Sequence, residues 1–236
     1  MSTSVIVPAY NEHASIEAVT REIVTMFDAM GHEYEVLIID DGSTDGTGEV
    51  ADLLAEKYER VRVIHHPKNR GLGEVYRTAF AHVTGDYVTI IAGDGEVPAT
   101  TIKGFLALMD NMDVVLGFLP EGKFLPNGKP DLRSRLLSGT ERWLYRTLFG
   151  VFPKFQGNLM FRRQLLDELP LASTGRGWMI VPELIIRATQ SGYRITSAPI
   201  TMRARMAGKS KVKNLRMALI MLQQILRLWL HMRCQG

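Results

Sequence analysis

In the N-terminal half of the chain, one pattern occurs four times: a short apolar run, a polar loop, and then a segment whose apolar residues recur at helical spacing. The apolar runs begin at Ser4, Tyr34, Val61 and Tyr87 and are rich in β-branched residues. Strands that alternate with helices in this way form parallel sheets with right-handed crossovers. The sequence therefore predicts an α/β fold with a mostly parallel, doubly wound sheet and helices on both faces.

The second half continues the pattern less regularly. Segment 118–131 contains three prolines and predicts a mobile loop that covers a site as a lid. We expect the remaining elements to be strands at 113–117, 156–161 and 193–199, and helices at 133–149, 164–169, 181–191 and 215–232.

Composition limits the class of protein. With 236 residues, 46% hydrophobic and 22% charged, the chain is typical of a folded globular protein. The net charge is only +3, but basic residues are concentrated after Lys123, which suggests an anionic partner. Nucleic acid is not expected, because the basic residues lack interleaved aromatic residues and the acidic loops would repel a phosphate backbone.

A single cysteine, Cys234, excludes an intramolecular disulfide and a zinc site built on cysteines. The first predicted strand begins at Ser4, with no signal peptide before it. The cytoplasm is therefore the expected location, either free or peripheral on the cytoplasmic face of the membrane.

An acidic loop, Gly93-Asp94-Gly95-Glu96, follows the fourth strand directly. Open α/β sheets bind ligands at the carboxyl ends of their strands, so both carboxylates are expected in a ligand site. Two carboxylates on one loop can hold a divalent cation against phosphate oxygens. The alternative is an ordinary acidic turn, which Asp-Gly pairs form in many proteins.

A cationic segment lies late in the chain and contains Arg203, Arg205, Lys209, Ser210 and Lys211. Arginine offers paired, charge-assisted hydrogen bonds to phosphate, and lysine offers a point charge. We interpret the segment as a phosphate site; the alternative is a solvated basic edge.

The last predicted helix, Leu215–Met232, is amphipathic. A stripe of polar residues interrupts its apolar surface, so it is not expected to span a membrane. The sequence leaves three roles open for this helix: contact with a membrane surface, contact in a homodimer, or packing on its own domain.

Four motifs in order identify a family resemblance. The chain is identified as a member of the family 2 glycosyltransferases with a GT-A fold, on the motifs Val7–Glu12, Ile39–Thr47, Asn69–Gly73 and Gly85–Tyr87. Segments Gly71–Arg77 and Arg205–Lys211 resemble the dolichyl- and polyprenyl-phosphate sugar synthase branch. The resemblance covers residues 4–212, the predicted GT-A domain, and leaves 213–236 as a separate C-terminal helix.

The resemblance implies a site for a nucleotide-diphospho-sugar, with GDP or UDP as the nucleotide. The residues that it assigns to this donor are Pro8, Tyr10, Glu12, Asp41, Arg70, Gly73, Asp94 and Gln156. Asp40 and Asp41 could also cap the next helix; we assign Asp41 to the ligand.

The resemblance also implies a Mg²⁺ or Mn²⁺ ion. Asp94 matches the second aspartate of the family's Asp-x-Asp motif, but Ala92 stands where the first is expected. Glu96 can restore the missing charge, so we predict Asp94 and Glu96 as the metal ligands.

The reaction implied is an inverting transfer of the sugar to a polyprenyl phosphate, with Asp94, Arg205 and Glu183 as catalytic residues. The acceptor phosphate would be held by the cationic segment with Arg133 and Arg135. One alternative is a hydroxyl acceptor with Glu183 as base; Glu183 could also simply complement a helix dipole. Another alternative is a non-catalytic nucleotide-binding protein, which Ala92 suggests.

Overall fold

A computed structural model describes residues 1–120, 140, 143–150, 158–206 and 215–234, without the side chains of 215–218 and 234. The strands are β1 (Thr3–Ala9), β2 (Tyr34–Asp40), β3 (Val61–His65), β4 (Tyr87–Ile90), β5 (Val114–Phe118), β6 (Leu159–Arg162) and β7 (Ile195–Pro199). The helices are α1 (Ile16–Met30), α2 (Thr47–Lys57), α3 (Leu72–Phe80), α4 (Thr101–Met109), α5 (Gln164–Glu168), α6 (Ile180–Gln190) and α7 (Leu215–Cys234).

The described strands form one seven-stranded sheet in the order β3-β2-β1-β4-β6-β5-β7. Strand β1 lies inside the sheet and pairs in parallel with β2 and β4. Strand β6 is antiparallel to both of its neighbours, β4 and β5, and β7 is parallel to β5. The predicted mostly parallel α/β sheet is confirmed, and the antiparallel β6 is a feature that the strand pattern did not indicate.

Both faces of the sheet are covered by helices, as predicted. Successive side chains of β1 alternate between two cores: Val5 and Val7 pack with α1, α2 and α4, whereas Ile6 packs with α3 and α6. This alternation follows from the two-residue period of a strand, and burial on both faces explains why β1 is almost continuously apolar.

A smaller third cluster joins the C-terminal helix to the rest of the chain. Met221, Ile225 and Leu228 of α7 pack with Ile186 of α6 and with Phe149, at the end of the helical residues 143–149. Within the part of the chain that the structure describes, no helix combines the length and the apolar character needed to cross a bilayer.

The predicted lid loop and basic helix lie mostly outside the described residues, which resume only at 140 and at 143–150. Other predicted elements appear with shifted ends: the strand expected at 156–161 is Leu159–Arg162, and the strand expected at 193–199 is Ile195–Pro199.

Asp113 connects three segments at the far side of the sheet. Its carboxylate accepts hydrogen bonds from Nε of Arg162, at 3.1 Å, and from the guanidinium and backbone N–H of Arg194. These donors favour the ionised form, with Arg194 the larger influence, and they lower the pKa of Asp113 to about 2.

We predict that Asp113→Asn reduces the acid sensitivity of the fold. Between the ordinary value of 3.8 and about 2, the unfolded chain binds a proton that the folded chain does not, so the free energy of unfolding falls with pH. The variant should be less stable than the wild type at neutral pH, and the two stability curves should converge as the pH approaches 2. Urea unfolding across this pH range measures the free energy of unfolding of both proteins. The control is Asp110→Asn, because Asp110 is exposed. Parallel wild-type and Asp113→Asn curves would contradict this account.

Candidate active site

A cleft of about 680 Å³ lies at the carboxyl ends of β1, β2 and β4. This is the edge where parallel sheets bind ligands, and where the sequence placed the site. Its polar lining includes Tyr10, Glu12, Asp41, Asn69, Asp94, Arg176 and Arg205. Its apolar lining includes Pro8, Ala9, Leu72, Val75, Tyr76, Ala92, Trp178 and Ile220.

The loop after β1 forms one wall of the cleft and contributes Pro8, Tyr10 and Glu12. Asn11 adopts a left-handed backbone conformation, with φ of 52°. Its backbone N–H donates to Oγ of Ser43 at 2.9 Å, and its side-chain oxygen accepts from the backbone N–H of Thr44 at 2.9 Å. The loops that follow β1 and β2 are therefore joined, which fixes the direction of the neighbouring Tyr10 and Glu12.

Asp41 is buried where β2 ends, and each of its carboxylate oxygens accepts two hydrogen bonds. Oδ1 accepts from His66 Nδ1 at 2.7 Å and from the backbone N–H of Arg70 at 2.8 Å. Oδ2 accepts from Asn69 Nδ2 and from the backbone N–H of Gly71, each at 2.8 Å. Asp41 borders the cleft, but in this arrangement its carboxylate holds the loop 69–71; direct contact with a nucleotide stays a prediction.

Asp40 has a local role at the end of β2 and does not cap the next helix, whose N-cap residue is Gly46. Its carboxylate accepts from the backbone N–H of Ser43 at 3.1 Å and contacts Nδ1 of His65 at 3.0 Å. The hydrogen bond to Asp40 is the main cause that raises the pKa of His65. His66 also has a partner that sequence reasoning missed, since it lies between Asp41 and Oγ1 of Thr78.

Two of the residues predicted to bind the nucleotide-sugar donor do not line the cleft. The guanidinium of Arg70 is turned toward Glu74, at 2.8 Å, although its backbone N–H binds Asp41. Gly73 lies against the loop 174–178: a Cβ atom at this position would be 2.0 Å from the carbonyl oxygen of Gly177. Gln156 lies outside the described residues.

The loop 174–178 was missed by the sequence analysis, yet it places Arg176 and Trp178 in the lining of the cleft. Arg176 donates to the carbonyl oxygen of Asn69 at 3.0 Å and also to the Asn69 side chain. Gly71 has φ of 93° and lies so close to Arg176 that a Cβ atom would be 2.7 Å from its backbone. The sequence contained one signal for this loop: a second Gly-x-Gly motif, Gly175 to Gly177, which in the structure lies against the first, Gly71 to Gly73.

The acidic loop borders the cleft, with Asp94 among the lining residues and Glu96 outside them. Arg205 bridges its two carboxylates, with Nη2 at 2.8 Å from Oδ2 of Asp94 and Nε at 3.1 Å from Oε1 of Glu96. The chain segment around Arg205 is also fixed to the loop by its backbone, because Met206 N–H donates to the Asp94 carbonyl oxygen at 3.1 Å. The structure therefore brings together three residues that the sequence assigned to metal and phosphate.

Tyr76 lines the cleft near this charge. Its burial, together with the negative charge of Asp94, raises the pKa of its phenol well above the ordinary value of 10.0. The hydroxyl therefore stays protonated at neutral pH and can donate a hydrogen bond to a bound ligand.

Arg203 and Glu183 are used inside the fold. Arg203 donates to Glu22 Oε2 and to the carbonyl oxygen of Gly95, each at 2.6 Å. Glu183 is fully buried; it pairs with Arg187 at 2.8 Å and accepts from two backbone N–H groups of the loop 172–173. Neither is a lining residue of the cleft, and the structure gives both a positioning role. Arg133, Arg135, Lys209, Ser210 and Lys211 lie outside the described residues.

Fit to a divalent cation depends on the acidic loop. Asp94 and Glu96 supply the carboxylate oxygens that Mg²⁺ and Mn²⁺ prefer, and Ala92 supplies none. Across the described residues, no group of three or more His, Cys, Asp or Glu side chains is arranged to hold a metal ion. Two protein ligands fit the cation, provided that Arg205 leaves them and a bound ligand supplies further oxygens.

Comparison with known proteins identifies the family. Residues 4–170, more than half of the chain, match the model of glycosyl transferase family 2. The chain belongs to this family. It is therefore a glycosyltransferase, and the resemblance inferred from the motifs is confirmed.

Two family relatives have names that specify an acceptor. A polyprenol monophosphomannose synthase from Mycolicibacterium smegmatis is 29% identical over 90% of this chain and 81% of its own length. A dolichol-phosphate mannosyltransferase from Pyrococcus furiosus is 27% identical over 91% of this chain. The chain spans only 60% of the length of the second relative.

The fold is that of the GT-A glycosyltransferases. A crystal structure of glucosyl-3-phosphoglycerate synthase from Mycobacterium tuberculosis, in complex with Mn²⁺, UDP and phosphoglyceric acid, superposes with a TM-score of 0.71. The two chains are 22% identical, and the match covers 96% of this chain and 78% of the other. At this identity the likeness concerns the fold alone.

We predict that Gly73→Ala destabilises the protein by about 1–3 kcal/mol, because the added Cβ must push the carbonyl of Gly177 away. Gly104→Ala is the matched control: this glycine lies in α4 with no atom within 4 Å of the added Cβ. An alanine there should stabilise the helix by about 1 kcal/mol. Denaturant unfolding of both variants measures the difference, and equal effects would contradict the close contact of the two glycine loops.

Proposed function

We propose that this chain transfers a sugar, with inversion at the anomeric carbon, from a nucleotide-diphospho-sugar to a polyprenyl phosphate. The observation that carries the proposal is the Asp94–Arg205–Glu96 arrangement at the end of β4, where one cleft brings acidic and basic groups together. Family membership supports the transfer, and the names of the two relatives support the acceptor class.

The donor would occupy the cleft with its base and ribose against the loop after β1. Pro8 and Tyr10 offer surfaces for packing against a base, and Glu12 offers a carboxylate to N–H or hydroxyl donors. Asp41 would act by holding Asn69 and Gly71 in place. Both GDP- and UDP-sugars remain candidates, because a carboxylate can accept hydrogen bonds from either base or from the ribose.

Asp94 and Glu96 would hold Mg²⁺ or Mn²⁺ together with oxygens of the donor diphosphate. The fold neighbour from Mycobacterium tuberculosis was solved with Mn²⁺ and UDP, which supports the use of a divalent cation. When bound, such a cation stabilises negative charge on the leaving diphosphate.

Arg205 has two consecutive roles in this proposal. Before the donor binds, its guanidinium neutralises Asp94 and Glu96 at 2.8 and 3.1 Å. Once the carboxylates have another cationic partner, the guanidinium becomes available for phosphate oxygens, to which it can donate paired hydrogen bonds. Arg133, Arg135, Lys209, Ser210 and Lys211 would add to this acceptor site.

A phosphate acceptor also fits the absence of a base at the expected position. A phosphate oxygen is already anionic at neutral pH, so it attacks without first losing a proton to the protein. A hydroxyl acceptor would need a general base within hydrogen-bond reach. Glu183, the base assigned in that alternative, is fully buried and is bound by Arg187 and two backbone N–H groups.

A transfer assay tests the proposal. GDP- and UDP-sugars are incubated with a short polyprenyl phosphate or with a free saccharide, with and without Mn²⁺, and the anomeric configuration of the product is determined by NMR. We expect transfer to the polyprenyl phosphate with inversion, which depends on the cation. Transfer only to the saccharide would support the hydroxyl alternative, and nucleotide binding without transfer to either acceptor would support a non-catalytic protein.

We predict that Arg205→Ala separates metal binding from transfer. Removing the guanidinium frees two partly exposed carboxylates; each ion pair is worth up to about 1 kcal/mol, so Mn²⁺ affinity without donor should rise by about tenfold. The rate of sugar transfer should fall by about a hundredfold, because a hydrogen-bond donor to the charged phosphates is lost. Titration monitored by the EPR signal of free Mn²⁺ measures the affinity.

The matched control for this titration is Arg70→Ala. It removes the same charge from a guanidinium that contacts Glu74 rather than the acidic loop. An equal rise in Mn²⁺ affinity in both variants would mean a general effect of net charge, and no rise in Arg205→Ala would exclude competition at Asp94 and Glu96.

A further inference from the structure

Helix α7 has two apolar sides, and only one of them is covered. Met221, Ile225 and Leu228, which are spaced four and three residues apart, are buried against α6 and Phe149. This side accounts for the attachment of the helix to the rest of the protein.

Four leucines of α7 remain in contact with solvent: Leu219, Leu222, Leu226 and Leu230 are 60%, 38%, 43% and 55% exposed. Their spacing of three and then four residues places them on one stripe, turned away from the buried side by the 100° rotation per helical residue. Exposed leucines occur singly on most proteins, but a stripe of four on one helix indicates a surface that binds something apolar.

The charged residues of helix α7 itself are all of one sign. Helix α7 contains Arg216, Arg227 and Arg233 and no Asp or Glu. The same imbalance extends over the sequence from 184 to 236, which contains no acidic residue. Whatever covers the stripe must therefore supply both an apolar surface and negative charge.

A second copy of the chain meets this requirement poorly. In a two-fold symmetric contact each helix would face the same surface of its partner, so the arginines of one α7 would meet no carboxylate on the other. The surface of a membrane that contains anionic lipid supplies both components, since acyl chains accept the leucines and lipid phosphates accept the arginines.

We infer that α7 binds in the plane of an anionic membrane surface through Leu219, Leu222, Leu226 and Leu230. Helix α7 lies in the interface and does not cross it, in agreement with the polar residues on its flanks.

This surface adjoins the cleft. Ile220, next to Leu219 in the helix, lines the cleft. The side-chain N–H of Gln224 donates to the carbonyl oxygen of Thr174 at 2.8 Å, which ties α7 to the loop that carries Arg176 and Trp178. Binding of α7 to a membrane would therefore bring one wall of the cleft close to the lipid. The inference does not depend on sugar transfer, because it concerns lipid binding alone.

Flotation with lipid vesicles tests the inference, without donor or acceptor. The protein is mixed with vesicles of phosphatidylcholine alone or of phosphatidylcholine with phosphatidylglycerol, and the bound fraction is measured as a function of lipid concentration. We expect binding to the vesicles with phosphatidylglycerol and little binding to phosphatidylcholine alone.

The double variant Leu222→Gln/Leu226→Gln should weaken binding by about tenfold, because apolar area no longer leaves water. Leu53→Gln is the matched control, as this leucine on α2 is 62% exposed and lies on a different helix. Arg227→Gln/Arg233→Gln should weaken binding by about fivefold per arginine. All four substituted α7 residues are exposed, so the variants should retain the wild-type melting temperature, which is measured in parallel.

Two results would overturn the inference. One is binding to anionic vesicles that Leu222→Gln/Leu226→Gln leaves unchanged, which would place the lipid contact elsewhere. The other is failure of the wild type to bind any vesicle, together with a dimer in sedimentation equilibrium that the leucine variant dissociates. That second outcome would assign the stripe to a second copy of the chain.

Discussion

Asp41 is a buried carboxylate directly after β2, and the shape of the cleft depends on the four hydrogen bonds that it accepts. A buried charge is costly unless its hydrogen-bonding capacity is filled, so the donors from His66 and from residues 69–71 must stay in place. They fix the entry to α3, and Gly71 and Gly73 then allow the loop 174–178 to lie against it. One carboxylate thus determines where Arg176 and Trp178 face the cleft.

The acidic loop has the opposite property, because its charges are balanced by a partner that can be exchanged.

Results

Sequence analysis

In the N-terminal half of the chain, one pattern occurs four times: a short apolar run, a polar loop, and then a segment whose apolar residues recur at helical spacing. The apolar runs begin at Ser4, Tyr34, Val61 and Tyr87 and are rich in β-branched residues. Strands that alternate with helices in this way form parallel sheets with right-handed crossovers. The sequence therefore predicts an α/β fold with a mostly parallel, doubly wound sheet and helices on both faces.

The second half continues the pattern less regularly. Segment 118–131 contains three prolines and predicts a mobile loop that covers a site as a lid. We expect the remaining elements to be strands at 113–117, 156–161 and 193–199, and helices at 133–149, 164–169, 181–191 and 215–232.

Composition limits the class of protein. With 236 residues, 46% hydrophobic and 22% charged, the chain is typical of a folded globular protein. The net charge is only +3, but basic residues are concentrated after Lys123, which suggests an anionic partner. Nucleic acid is not expected, because the basic residues lack interleaved aromatic residues and the acidic loops would repel a phosphate backbone.

A single cysteine, Cys234, excludes an intramolecular disulfide and a zinc site built on cysteines. The first predicted strand begins at Ser4, and no signal peptide is expected before it. The cytoplasm is therefore the expected location, either free or peripheral on the cytoplasmic face of the membrane.

An acidic loop, Gly93-Asp94-Gly95-Glu96, follows the fourth strand directly. Open α/β sheets bind ligands at the carboxyl ends of their strands, so both carboxylates are expected in a ligand site. Two carboxylates on one loop can hold a divalent cation against phosphate oxygens. The alternative is an ordinary acidic turn, which Asp-Gly pairs form in many proteins.

A cationic segment lies late in the chain and contains Arg203, Arg205, Lys209, Ser210 and Lys211. Arginine offers paired, charge-assisted hydrogen bonds to phosphate, and lysine offers a point charge. We interpret the segment as a phosphate site; the alternative is a solvated basic edge.

The last predicted helix, Leu215–Met232, is amphipathic. A stripe of polar residues interrupts its apolar surface, so it is not expected to span a membrane. The sequence leaves three roles open for this helix: contact with a membrane surface, contact in a homodimer, or packing on its own domain.

Four motifs in order carry a family resemblance. The chain is identified as a member of the family 2 glycosyltransferases with a GT-A fold, on the motifs Val7–Glu12, Ile39–Thr47, Asn69–Gly73 and Gly85–Tyr87. Segments Gly71–Arg77 and Arg205–Lys211 resemble the dolichyl- and polyprenyl-phosphate sugar synthase branch. The resemblance covers roughly residues 4–212. We expect a GT-A domain over 1–212 and a separate C-terminal helix over 213–236.

The resemblance implies a site for a nucleotide-diphospho-sugar, with GDP or UDP as the nucleotide. The residues that it assigns to this donor are Pro8, Tyr10, Glu12, Asp41, Arg70, Gly73, Asp94 and Gln156. Asp40 and Asp41 could also cap the next helix; we assign Asp41 to the ligand.

The resemblance also implies a Mg²⁺ or Mn²⁺ ion. Asp94 matches the second aspartate of the family's Asp-x-Asp motif, but Ala92 stands where the first is expected. Glu96 can restore the missing charge, so we predict Asp94 and Glu96 as the metal ligands.

The reaction implied is an inverting transfer of the sugar to a polyprenyl phosphate, with Asp94, Arg205 and Glu183 as catalytic residues. The acceptor phosphate would be held by the cationic segment with Arg133 and Arg135. One alternative is a hydroxyl acceptor with Glu183 as base; Glu183 could also simply complement a helix dipole. Another alternative is a non-catalytic nucleotide-binding protein, which Ala92 suggests.

Overall fold

A computed structural model describes residues 1–120, 140, 143–150, 158–206 and 215–234, without the side chains of 215–218 and 234. The strands are β1 (Thr3–Ala9), β2 (Tyr34–Asp40), β3 (Val61–His65), β4 (Tyr87–Ile90), β5 (Val114–Phe118), β6 (Leu159–Arg162) and β7 (Ile195–Pro199). The helices are α1 (Ile16–Met30), α2 (Thr47–Lys57), α3 (Leu72–Phe80), α4 (Thr101–Met109), α5 (Gln164–Glu168), α6 (Ile180–Gln190) and α7 (Leu215–Cys234).

The described strands form one seven-stranded sheet in the order β3-β2-β1-β4-β6-β5-β7. Strand β1 lies inside the sheet and pairs in parallel with β2 and β4. Strand β6 is antiparallel to both of its neighbours, β4 and β5, and β7 is parallel to β5. The predicted mostly parallel α/β sheet is confirmed, and the antiparallel β6 is a feature that the strand pattern did not indicate.

Both faces of the sheet are covered by helices, as predicted. Successive side chains of β1 alternate between two cores: Val5 and Val7 pack with α1, α2 and α4, whereas Ile6 packs with α3 and α6. This alternation follows from the two-residue period of a strand, and burial on both faces explains why β1 is almost continuously apolar.

A smaller third cluster joins the C-terminal helix to the rest of the chain. Met221, Ile225 and Leu228 of α7 pack with Ile186 of α6 and with Phe149, at the end of the helical residues 143–149. Within the part of the chain that the structure describes, no helix combines the length and the apolar character needed to cross a bilayer.

The predicted lid loop and basic helix lie mostly outside the described residues, which resume only at 140 and at 143–150. Other predicted elements appear with shifted ends: the strand expected at 156–161 is Leu159–Arg162, and the strand expected at 193–199 is Ile195–Pro199.

Asp113 connects three segments at the far side of the sheet. Its carboxylate accepts hydrogen bonds from Nε of Arg162, at 3.1 Å, and from the guanidinium and backbone N–H of Arg194. These donors favour the ionised form, with Arg194 the larger influence, and they lower the pKa of Asp113 to about 2.

We predict that Asp113→Asn reduces the acid sensitivity of the fold. Between the ordinary pKa of 3.8 and about 2, the unfolded chain binds a proton that the folded chain does not, so the free energy of unfolding falls as the pH falls. The variant should be less stable than the wild type at neutral pH, and the two stability curves should converge toward pH 2. Urea unfolding across this pH range measures the free energy of unfolding of both proteins. The control is Asp110→Asn, because Asp110 is exposed. Parallel wild-type and Asp113→Asn curves would contradict this account.

Candidate active site

A cleft of about 680 Å³ lies at the carboxyl ends of β1, β2 and β4. This is the edge where parallel sheets bind ligands, and where the sequence placed the site. Its polar lining includes Tyr10, Glu12, Asp41, Asn69, Asp94, Arg176 and Arg205. Its apolar lining includes Pro8, Ala9, Leu72, Val75, Tyr76, Ala92, Trp178 and Ile220.

The loop after β1 forms one wall of the cleft and contributes Tyr10 and Glu12 as well as Pro8. Asn11 adopts a left-handed backbone conformation, with φ of 52°. Its backbone N–H donates to Oγ of Ser43 at 2.9 Å, and its side-chain oxygen accepts from the backbone N–H of Thr44 at 2.9 Å. The loops that follow β1 and β2 are therefore joined, which holds the cleft wall in place.

Asp41 is buried where β2 ends, and each of its carboxylate oxygens has two hydrogen-bond partners. Oδ1 contacts His66 Nδ1 at 2.7 Å and accepts from the backbone N–H of Arg70 at 2.8 Å. Oδ2 accepts from Asn69 Nδ2 and from the backbone N–H of Gly71, each at 2.8 Å. Asp41 borders the cleft, but in this arrangement its carboxylate holds the loop 69–71; direct contact with a nucleotide stays a prediction.

Asp40 has a local role at the end of β2 and does not cap the next helix, whose N-cap residue is Gly46. Its carboxylate accepts from the backbone N–H of Ser43 at 3.1 Å and contacts Nδ1 of His65 at 3.0 Å. The hydrogen bond to Asp40 is the main cause that raises the pKa of His65. His66 also has partners that sequence reasoning missed, since it lies between Asp41 and Oγ1 of Thr78.

Two of the residues predicted to bind the nucleotide-sugar donor do not line the cleft. The guanidinium of Arg70 is turned toward Glu74, at 2.8 Å, although its backbone N–H binds Asp41. Gly73 lies against the loop 174–178: a Cβ atom at this position would be 2.0 Å from the carbonyl oxygen of Gly177. Gln156 lies outside the described residues.

The loop 174–178 was missed by the sequence analysis, yet it places Arg176 and Trp178 in the lining of the cleft. Arg176 donates to the carbonyl oxygen of Asn69 at 3.0 Å and also to the Asn69 side chain. Gly71 has φ of 93° and lies so close to Arg176 that a Cβ atom would be 2.7 Å from its backbone. The sequence contained one signal for this loop: a second Gly-x-Gly motif, Gly175 to Gly177, which in the structure lies against the first, Gly71 to Gly73.

The acidic loop borders the cleft, with Asp94 among the lining residues and Glu96 outside them. Arg205 bridges its two carboxylates, with Nη2 at 2.8 Å from Oδ2 of Asp94 and Nε at 3.1 Å from Oε1 of Glu96. The segment around Arg205 is also fixed to the loop by its backbone, because Met206 N–H donates to the Asp94 carbonyl oxygen at 3.1 Å. The structure therefore brings together three residues that the sequence assigned to metal and phosphate.

Tyr76 lines the cleft near this charge. Its burial, together with the negative charge of Asp94, raises the pKa of its phenol well above the ordinary value of 10.0. The hydroxyl therefore stays protonated at neutral pH and can donate a hydrogen bond to a bound ligand.

Arg203 and Glu183 are used inside the fold, and neither lines the cleft. Arg203 donates to Glu22 Oε2 and to the carbonyl oxygen of Gly95, each at 2.6 Å. Glu183 is fully buried; it pairs with Arg187 at 2.8 Å and accepts from the backbone N–H groups of residues 172 and 173. In this arrangement both residues hold neighbouring segments in position. The remaining predicted phosphate-binding residues lie outside the described part of the chain: Arg133, Arg135, Lys209, Ser210 and Lys211.

Fit to a divalent cation depends on the acidic loop. Asp94 and Glu96 supply the carboxylate oxygens that Mg²⁺ and Mn²⁺ prefer, and Ala92 supplies none. Across the described residues, no group of three or more His, Cys, Asp or Glu side chains is arranged to hold a metal ion. The two carboxylates fit a cation, provided that Arg205 leaves them and a bound ligand supplies further oxygens.

Comparison with known proteins identifies the family. Residues 4–170, more than half of the chain, match the model of glycosyl transferase family 2. The chain belongs to this family. It is therefore a glycosyltransferase, and the resemblance inferred from the motifs is confirmed.

Two family relatives have names that specify an acceptor. A polyprenol monophosphomannose synthase from Mycolicibacterium smegmatis is 29% identical over 90% of this chain and 81% of its own length. A dolichol-phosphate mannosyltransferase from Pyrococcus furiosus is 27% identical over 91% of this chain. The chain spans only 60% of the length of the second relative.

The fold is that of the GT-A glycosyltransferases. A crystal structure of glucosyl-3-phosphoglycerate synthase from Mycobacterium tuberculosis, in complex with Mn²⁺, UDP and phosphoglyceric acid, superposes with a TM-score of 0.71. The two chains are 22% identical, and the match covers 96% of this chain and 78% of the other. At this identity the likeness concerns the fold alone.

We predict that Gly73→Ala destabilises the protein by about 1–3 kcal/mol, because the added Cβ must push the carbonyl of Gly177 away. Gly104→Ala is the matched control: this glycine lies in α4, with no atom within 4 Å of the added Cβ. An alanine there should stabilise the helix by about 1 kcal/mol. Denaturant unfolding of both variants measures the difference, and equal effects would contradict the close contact of the two glycine loops.

Proposed function

We propose that this chain transfers a sugar, with inversion at the anomeric carbon, from a nucleotide-diphospho-sugar to a polyprenyl phosphate. The observation that carries the proposal is the Asp94–Arg205–Glu96 arrangement at the end of β4, where one cleft brings acidic and basic groups together. Family membership supports the transfer, and the names of the two relatives support the acceptor class.

The donor would occupy the cleft with its base and ribose against the loop after β1. Pro8 and Tyr10 offer surfaces for packing against a base, and Glu12 offers a carboxylate to N–H or hydroxyl donors. Asp41 would act by holding Asn69 and Gly71 in place. GDP- and UDP-sugars are both candidates, because a carboxylate can accept hydrogen bonds from either base or from the ribose.

Asp94 and Glu96 would hold Mg²⁺ or Mn²⁺ together with oxygens of the donor diphosphate. The fold neighbour from Mycobacterium tuberculosis was solved with Mn²⁺ and UDP, which supports the use of a divalent cation. When bound, such a cation stabilises negative charge on the leaving diphosphate.

Arg205 has two consecutive roles in this proposal. Before the donor binds, its guanidinium neutralises Asp94 and Glu96 at 2.8 and 3.1 Å. Once the carboxylates have another cationic partner, the guanidinium becomes available for phosphate oxygens, to which it can donate paired hydrogen bonds. Arg133, Arg135, Lys209, Ser210 and Lys211 would add to this acceptor site.

A phosphate acceptor also fits the burial of Glu183. A phosphate oxygen is already anionic at neutral pH, so it attacks without first losing a proton to the protein. A hydroxyl acceptor would need a general base within hydrogen-bond reach. Glu183, the base assigned in that alternative, is fully buried and already bound by Arg187 and two backbone N–H groups.

A transfer assay tests the proposal. GDP- and UDP-sugars are incubated with a short polyprenyl phosphate or with a free saccharide, with and without Mn²⁺, and the anomeric configuration of the product is determined by NMR. We expect cation-dependent transfer to the polyprenyl phosphate, with inversion. Transfer only to the saccharide would support the hydroxyl alternative, and nucleotide binding without transfer to either acceptor would support a non-catalytic protein.

We predict that Arg205→Ala separates metal binding from transfer. The substitution removes the ion-pair partner of two partly exposed carboxylates; each pair is worth up to about 1 kcal/mol, so Mn²⁺ affinity without donor should rise by about tenfold. The rate of sugar transfer should fall by about a hundredfold, because a hydrogen-bond donor to the charged phosphates is lost. Titration monitored by the EPR signal of free Mn²⁺ measures the affinity.

The matched control for this titration is Arg70→Ala. It removes the same charge from a guanidinium that contacts Glu74 rather than the acidic loop. An equal rise in Mn²⁺ affinity in both variants would mean a general effect of net charge, and no rise in Arg205→Ala would exclude competition at Asp94 and Glu96.

A further inference from the structure

Helix α7 has two apolar sides, and one of them is covered by the protein itself. Met221, Ile225 and Leu228, which are spaced four and three residues apart, are buried against α6 and Phe149. This side accounts for the attachment of the helix to the rest of the protein.

Four leucines of α7 remain in contact with solvent: Leu219, Leu222, Leu226 and Leu230 are 60%, 38%, 43% and 55% exposed. Their spacing of three and then four residues places them on one stripe, turned away from the buried side by the rotation of about 100° per helical residue. Exposed leucines occur singly on most proteins, but a stripe of four on one helix indicates a surface that binds something apolar.

The charged residues of helix α7 itself are all of one sign. Helix α7 contains Arg216, Arg227 and Arg233 and no Asp or Glu. The same imbalance extends over the sequence from 184 to 236, which contains no acidic residue. Whatever covers the stripe must therefore supply both an apolar surface and negative charge.

A second copy of the chain meets this requirement poorly. In a two-fold symmetric contact each helix would face the same surface of its partner, so the arginines of one α7 would meet no carboxylate on the other. The surface of a membrane that contains anionic lipid supplies both components, since acyl chains accept the leucines and lipid phosphates accept the arginines.

We infer that α7 binds in the plane of an anionic membrane surface through Leu219, Leu222, Leu226 and Leu230. The helix lies in the interface between lipid and water, with its arginines at the level of the lipid phosphates and its buried side still packed on α6.

This surface adjoins the cleft. Ile220, next to Leu219 in the helix, lines the cleft. The side-chain N–H of Gln224 donates to the carbonyl oxygen of Thr174 at 2.8 Å, which ties α7 to the loop that carries Arg176 and Trp178. Binding of α7 to a membrane would therefore bring one wall of the cleft close to the lipid. The inference does not depend on sugar transfer, because it concerns lipid binding alone.

Flotation with lipid vesicles tests the inference, without donor or acceptor. The protein is mixed with vesicles of phosphatidylcholine alone or of phosphatidylcholine with phosphatidylglycerol, and the bound fraction is measured as a function of lipid concentration. We expect binding to the vesicles with phosphatidylglycerol and much weaker binding to phosphatidylcholine alone.

The double variant Leu222→Gln/Leu226→Gln should weaken binding by about tenfold, because less apolar area leaves water. Leu53→Gln is the matched control, as this leucine on α2 is 62% exposed and lies on a different helix. Arg227→Gln/Arg233→Gln should weaken binding by about fivefold per arginine. All four substituted α7 residues are exposed, so the variants should retain the wild-type melting temperature, which is measured in parallel.

Two results would overturn the inference. One is binding to anionic vesicles that Leu222→Gln/Leu226→Gln leaves unchanged, which would place the lipid contact elsewhere. The other is failure of the wild type to bind any vesicle, together with a dimer in sedimentation equilibrium that the leucine variant dissociates. That second outcome would assign the stripe to a second copy of the chain.

Discussion

Asp41 is a buried carboxylate directly after β2, and the shape of the cleft depends on its four hydrogen-bond partners. A buried charge is costly unless its hydrogen-bonding capacity is filled, so His66 and residues 69–71 must stay in place around it. They fix the entry to α3, and Gly71 and Gly73 then allow the loop 174–178 to lie against it. One carboxylate thus determines where that loop faces the cleft.

The acidic loop after β4 differs, because its carboxylates are balanced by the side chain of Arg205, which in our proposal is exchanged for a divalent cation. The guanidinium of Arg205 contacts Asp94 and Glu96, and Asp94 accepts one backbone N–H, that of Glu96 at 3.0 Å, whereas Asp41 accepts two backbone N–H groups. In our proposal this difference separates the two tasks of the cleft. The Asp41 network keeps the donor site in shape, and the Arg205 bridge neutralises Asp94 and Glu96 until a divalent cation takes its place and frees the guanidinium for substrate phosphates.

Local patterns in the sequence predict the sheet well and the contacts inside the site poorly. The apolar runs of β1, β2 and β4 have the spacing of buried strands, so the position of the cleft follows from parallel strands ending at one edge. The antiparallel β6 and the contact of loop 174–178 with α3 depend on partners distant in the chain, which periodicity does not encode. The partners of Asp41, Glu183 and Arg203 are set by burial and packing, and no motif reports these.

The most direct test of the account is a crystal structure of the protein with a nucleoside diphosphate and Mn²⁺, with the metal located by its anomalous signal. The account predicts Mn²⁺ between the diphosphate and the carboxylates of Asp94 and Glu96, the base against the loop after β1, and Arg205 released from its bridge. A nucleotide bound outside this cleft, or one bound within it while Arg205 still bridges both carboxylates and no metal lies beside them, would contradict it.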